Sequence, residues 1–149
     1  MMAVLVAFLH FFAAFGLAAT LFAELMLLRP EPTLREARLL QWCDRWYGLF
    51  AGIVLGAGLF RVLYYAKGSA FYMSNPFFHL KITLYVITGL ISIYPTITFL
   101  RWSKDLKAGI APVISSQQYS RLRSILLLEL VLLTAILASA SLMARGIGS

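Results

Sequence analysis

Four long apolar segments, joined by short polar connections, limit what this chain can fold into more than any other feature. They run over residues 2–28, 44–65, 76–102 and 121–144. Each holds the roughly 20 residues that cross about 30 Å of hydrocarbon as an α-helix. A helix satisfies its own backbone hydrogen bonds, as lipid requires, and the alternation typical of barrel strands is missing from the sequence. The predicted fold class is therefore all-α, an integral membrane four-helix bundle.

The composition favours the same class. Of 149 residues, 61% are hydrophobic and 13% are charged, whereas soluble domains carry about 25% charged residues. A chain of this length could not bury so much apolar surface by itself. The first segment lacks a basic flank and is too long for a signal peptide, so we expect a retained span. With neither linker nor composition shift, residues 1–149 are interpreted as a single transmembrane domain.

The basic residues predict the orientation of the bundle. The net charge is +7, but the Lys and Arg residues flank apolar segments and form no soluble face, so we expect membrane lipid and no nucleic acid as partner. Most of them belong to the first and third connections with their flanks. The four on the opposite side are Arg61, Lys67, Lys81 and Arg145. Because cytoplasmic loops retain positive charge, both termini are predicted on the non-cytoplasmic side of a bacterial inner (cytoplasmic) membrane.

Small residues form a stripe on the second segment. Gly48, Gly52 and Gly56 recur every four residues and share one helix face, so another helix could approach closely there. The stripe predicts helix packing, either inside this chain or with a second copy in a homo-oligomer. The sequence leaves both partners open.

Ionisable residues inside the spans divide into two groups by depth. The outer group is His10, Arg61, His79 and Lys81. The inner group is Glu24, Asp44, Arg45 and Glu129. A charge in lipid is costly unless it is paired or hydrated, so structural ion pairs are the leading interpretation of the inner group. A proton relay is the alternative.

The outer group offers chemistry for a cofactor. His10 is interpreted either as a hydrogen-bonded core histidine or as an axial ligand of haem iron, since a neutral imidazole suits both. His79 is the candidate second metal ligand, from the third span at similar depth. Arg61 and Lys81 are at the depth where cations would pair with porphyrin propionates.

Several motifs give the chain a resemblance to known families. They are Asp44-Arg45-Trp46-Tyr47-Gly48, Ser92-Ile93-Tyr94-Pro95-Thr96, Met143-Ala144-Arg145-Gly146, Leu9-His10 and Phe78-His79-Leu80-Lys81. Over nearly its whole length the chain resembles an uncharacterised family of small predicted bacterial inner-membrane proteins. More distantly it is similar to the superfamily of HemJ-type protoporphyrinogen oxidases and CopD-like copper proteins. That similarity implies haem b at His10 and a functional role for His79 and Lys81.

Three functions follow as hypotheses. The first is a haem-binding redox bundle, with His10 on the iron and His79 or solvent on the other axial side. The second is a non-catalytic structural or assembly protein that uses the glycine stripe. The third, transport of a proton or small anion, needs a hydrated path between the two polar groups, which Leu17 and Leu21 on the face between His10 and Glu24 disfavour. The sequence assigns no catalytic residue and leaves enzymatic activity open.

Overall fold

The computed structural model describes residues 1–65 and 69–147, and in these ranges every regular element is helical. In chain order the helices are α1 (Met2–Leu27), α2 (Leu34–Phe60), α3 (Ser69–Ser74), α4 (Pro76–Arg101), α5 (Ser103–Lys107) and α6 (Ser116–Ala144). A π-helical turn, Arg61–Tyr65, continues α2. Lys67, which the sequence places in the outer basic group, falls outside the described residues.

Four of these helices are long and apolar enough to cross a membrane, which confirms the predicted number of spans. The second and fourth of these helices begin before their apolar runs. The second starts at Leu34 because Thr33 forms a capping box: its Oγ1 accepts a hydrogen bond from the Glu36 amide at 3.2 Å, and Glu36 Oε2 accepts one from the Thr33 amide at 2.9 Å. The fourth starts at Ser116, where Ser115 Oγ accepts from the Gln118 amide. Polar first turns therefore extend both spans beyond their apolar runs.

Asn75 sets the start of the third long helix and ties down the chain end. Its Oδ1 accepts a hydrogen bond from the Phe77 amide at 2.9 Å, and Pro76 occupies the first helical turn, where a missing amide hydrogen does no harm. The Asn75 Nδ2 donates to the Ile147 carbonyl at 3.3 Å. This fully buried side chain thus joins the beginning of α4 to the turn after α6.

The four long helices neighbour one another in the order α1, α2, α4, α6 around the bundle. The closest packing is within the pairs α1–α2 and α4–α6. The core cluster concentrates at the end that carries the α1–α2 and α4–α6 connections, with Leu21, Leu40, Phe99 and Leu126 fully buried. Exposed apolar side chains such as Phe8 and Met26 occur in both halves of α1, but the large apolar side chains that are fully buried in the described residues lie toward this one end. One end of the bundle is therefore tightly packed and the other is loose.

Helices α1 and α2 meet closely at Gly16. A Cβ atom added at Gly16 would lie 2.6 Å from the Phe50 ring, so only glycine leaves room for that ring. At Gly48, Gly52 and Gly56 an added Cβ would meet nothing within 4 Å, and all three are exposed. In the described part of the chain, then, no helix covers the predicted stripe, and packing by a second copy stays a prediction.

Candidate functional site

A cavity of about 140 Å³ opens in the loose half of the bundle, lined by all four long helices. Its walls are apolar side chains, among them Val54 of α2 and Leu133 of α6. The polar side chains in the described lining are His10 of α1 and two from α4, Lys81 and Tyr85. A mostly apolar pocket with a few converging polar groups is the usual form of a small-molecule site.

His10 is held against the backbone of α2. Its Nδ1 lies 3.0 Å from the Val54 carbonyl oxygen, and because a carbonyl only accepts, Nδ1 carries the hydrogen and donates it. In the neutral ring this leaves Nε2 as an acceptor. Gly58 makes the arrangement possible, since an added Cβ would lie 3.2 Å from His10 Cε1. Gly58 lies outside the glycine stripe of residues 48, 52 and 56, so the sequence pattern did not predict this role.

Lys81 and Arg61 place two cations beside the cavity. Lys81 Nζ lies 5.6 Å from the centroid of the Phe78 ring, and Arg61 Cζ lies 5.3 Å from that of Phe11. Both side chains are half-buried, and each acts electrostatically on His10. Within the described ranges neither has an acidic side chain within 4.0 Å. The cavity therefore has a cationic side that the described chain does not neutralise.

His79 does not join this group. It is exposed, it does not line the cavity, and its Nε2 lies 2.8 Å from the Met73 carbonyl oxygen. The structure thus brings together His10, Lys81 and Arg61 but separates His79 from them. In the described residues, moreover, no group of three or more His, Cys, Asp or Glu side chains could hold a metal ion.

The cavity suits a porphyrin only in part. A histidine that bonds a carbonyl through one ring nitrogen and leaves the other free is typical of metal ligands, and His10 has that form. The volume of the cavity is small for a porphyrin. Sites for drug-sized ligands measure roughly 300–1,000 Å³, whereas this cavity measures about 140 Å³. That size is close to a cavity of about 150 Å³ known to take benzene. The cavity is therefore smaller than a usual site for a drug-sized ligand, and haem b at His10 stays a prediction.

A second polar group lies in the tightly packed half. Glu24 of α1 is 2% exposed, Asp44 of α2 is 6% exposed and Glu129 of α6 is 1% exposed. The Thr96 hydroxyl donates to Asp44 Oδ1 at 2.7 Å, and the Tyr47 side chain is hydrogen-bonded to Glu129. The Oε1 atoms of Glu24 and Glu129 are buried without a hydrogen-bond partner.

The ion pairs expected for this inner group are not among the described contacts. Across the described ranges, the ion pair within 4.0 Å joins Arg29 Nε to Glu36 Oε1, at 3.3 Å and near the start of α2. Arg45 interacts electrostatically with Asp44, but it is exposed because the next residue on a helix is rotated by about 100°. Position along a span determines the depth of these groups, but the direction in which each side chain points depends on how the helices pack.

Tyr85 lies between the two polar groups. Its hydroxyl donates to the Ala51 carbonyl and so links α4 to α2. It lines the cavity and is also close enough to Tyr47 to interact with it electrostatically. The two phenols thus lie along the bundle between the cavity and the inner carboxyls.

Four membrane-length helices around two polar groups define a multi-span membrane protein. Within that class, the chain belongs to the family described as Predicted membrane protein (DUF2214), whose family model matches residues 2–148. No curated protein and no solved structure matches the chain. The more distant similarity to HemJ-type oxidases and CopD-like proteins gains no support from these comparisons.

Proposed function

We propose that this membrane protein binds a small, largely apolar molecule with an acidic group in the cavity beside His10. One observation carries the proposal: an apolar cavity has two cations at its side, and the described residues supply no acid to neutralise them. A ligand that combines an apolar body with an anionic group would satisfy both features.

The charge of the site favours an anion. A cation inside a membrane costs several kcal/mol unless it is paired or hydrated. Lys81 lines the cavity and would contact the acidic group directly, while Arg61 lies nearby at the π-helical turn. Such turns are frequent at functional sites. The Nε2 atom of His10 adds an acceptor for a hydroxyl or protonated acid on the ligand.

The size of the cavity limits what enters it. A volume of about 140 Å³ holds one ring or a short length of acyl chain, so a larger ligand would leave its remainder among the surrounding lipids. The acidic group could be the carboxylate of a free amphiphile or the phosphate of a lipid head group, which offer the same anionic chemistry. A binding experiment distinguishes the two sources.

The test is a competition titration on the detergent-purified full chain, with a fluorescent fatty acid as the probe. We expect oleate to displace the probe, and methyl oleate, which lacks the charge, to do so at least about tenfold more weakly, a difference of about 1.4 kcal/mol. Lys81→Met should weaken probe binding to a similar degree. Lys107→Met, an exposed residue of α5 outside the cavity, is the matched control. Dioleoyl phosphatidic acid that competes better than oleate would identify a lipid head group as the source.

Equal binding by Lys81→Met and the original chain would contradict the proposal, as would equal competition by oleate and its ester. An absorption spectrum of protein from haem-replete cells tests the rival function. A Soret band that His10→Ala removes without loss of helicity would instead establish a haem-binding redox protein, with helix movement widening the cavity. A chain that binds neither probe nor haem would favour the structural or assembly function.

We also propose that both termini lie on the non-cytoplasmic side of a bacterial inner membrane. An even number of spans puts the two termini on one side, and nine of the thirteen basic residues belong to the connections predicted on the other side. A C-terminal alkaline phosphatase fusion expressed in bacteria should be active, and a C-terminal green fluorescent protein fusion should be dark. The reverse pattern would overturn the assignment.

A further inference from the structure

The inner carboxyls have an unusual set of neighbours. Around Glu24 and Glu129 the electrostatic partners are Asp44, the Tyr47 hydroxyl and, near Glu24, the Cys43 thiol. Each of these neighbours is neutral or an acid. The cation that acts on this group electrostatically, among the described residues, is Arg45, which interacts with Asp44 and is exposed. The interior thus places carboxyls from three helices together without a counter-ion in the described residues.

Two oxygen atoms of this group lack a partner. Oε1 of Glu24 and Oε1 of Glu129 are buried, make no hydrogen bond, and belong to side chains that are at least 98% buried. An unsatisfied buried polar atom destabilises the folded chain, and does so more strongly if it is charged. Such atoms in a packed core indicate that a proton or another small partner binds to them.

We infer that Glu24, Glu129 and Asp44 form an intramembrane proton-binding site, in which bound protons take the place of the missing counter-ions of Glu24 and Glu129. Buried carboxylates that act on one another electrostatically, with no ion pair to a cation in the described residues, would carry a severe desolvation and repulsion penalty. A bound proton removes the charge and turns an acceptor-only carboxylate into a group that also donates. Asp44, which accepts from Thr96 and has Arg45 next to it, is the member best able to carry a negative charge.

The site differs from a metal site. The described residues contain no group of His, Cys, Asp and Glu side chains spaced to hold a metal ion, although the oxygen atoms present are of the kind that hard cations prefer. The site is also separate from the His10 cavity, since none of its three carboxyls lines that cavity. The two proposals are therefore independent. If the cavity binds no ligand, the proton site still stands, and if no proton site is found, the ligand proposal still stands.

Infrared spectroscopy of the full chain in lipid nanodiscs tests the inference directly. A protonated carboxyl gives a C=O stretching band that carboxylates lack and that shifts on exchange into D₂O. We expect this band at neutral pH, weaker in Glu24→Gln and in Glu129→Gln, and absent from the double variant. Glutamine keeps nearly the same shape without the proton, so these variants should fold. Glu36→Gln, in the exposed capping box, is the matched control and should keep the whole band.

A second measurement uses dicyclohexylcarbodiimide, an apolar reagent that adds to protonated carboxyls. Intact mass and peptide mapping should locate adducts on Glu24 or Glu129, with labelling that falls as the pH rises and no adduct on Glu36. Absence of the infrared band at neutral pH would overturn the inference. So would a band that appears only after sodium is removed, since that result would assign the site to a metal cation.

Discussion

The position of the His10 imidazole depends on the absence of a Cβ atom at Gly58. His10 bonds the Val54 carbonyl beside Gly58, one turn further along α2, where an added Cβ would crowd the imidazole ring at 3.2 Å. Glycine at this position therefore acts through the side chain it admits, and not through backbone flexibility. Residue-scale tests of the cavity should begin there.

Gly58→Ala is expected to weaken ligand binding. The added Cβ would lie 3.2 Å from His10 Cε1, so the ring must shift by a few tenths of an ångström and lengthen its bond to Val54. We expect the affinity for the fluorescent fatty acid to fall roughly fivefold, about 1 kcal/mol, with helicity unchanged. Gly56→Ala is the control, because its Cβ meets nothing within 4 Å. Equal losses in both variants would show that the effect comes from helix propensity.

Helix starts and helix contacts show what can be predicted at the scale of an element. The four apolar runs gave the number of spans correctly, since their length alone requires a crossing. The apolar run of the second span begins ten residues after the start of α2 because the first turns of this helix are charged, and Thr33 and Glu36 carry the capping-box pattern that marks the start. The glycine stripe predicted a packing face, yet the close contact within the chain is at Gly16, an isolated glycine whose importance depends on where the Phe50 ring falls.

Loss of the α2 cap should lower the stability of the bundle. Thr33→Ala removes the side-chain acceptor of the Glu36 amide, and N-cap losses of this kind amount to about 1 kcal/mol. We expect a lower midpoint of thermal unfolding in detergent, followed by circular dichroism. Thr83→Ala, an exposed position within α4, should leave the midpoint unchanged. An unshifted Thr33→Ala midpoint would mean that tertiary packing alone determines where α2 begins.

Gly16→Ala should loosen the α1–α2 pair. A methyl group would need space that the Phe50 ring now fills, and overpacking of this kind typically destabilises by about 1–3 kcal/mol. The unfolding midpoint should fall, whereas Gly52→Ala on the uncovered stripe should leave it unchanged or slightly raised. A fall for Gly52→Ala and none for Gly16→Ala would place the close contact on the stripe instead, as expected if a second copy packed there.

At the scale of the whole molecule, packing divides the bundle into two halves with different chemistry. The sequence located both polar groups by depth because topology fixes the depth of each residue along a span. It could not give the direction of a side chain around the helix axis, which depends on how neighbouring helices pack. For that reason His79, the candidate second metal ligand, lies outside the cavity, and the buried Oε1 atoms of Glu24 and Glu129 have no hydrogen-bond partner in the described residues.

Filling the cavity should stabilise the loose half of the bundle and weaken ligand binding. Ala140 of α6 lines the cavity, so Ala140→Leu would fill part of the 140 Å³ that the proposed ligand occupies. Filling a cavity commonly adds about 0.5–2 kcal/mol of stability, and we expect a higher unfolding midpoint together with at least about tenfold weaker probe binding. Ala138→Leu, exposed on the same helix, should change neither quantity. If Ala140→Leu raised the midpoint and left binding intact, the ligand would have to occupy another site, since one volume cannot hold both groups.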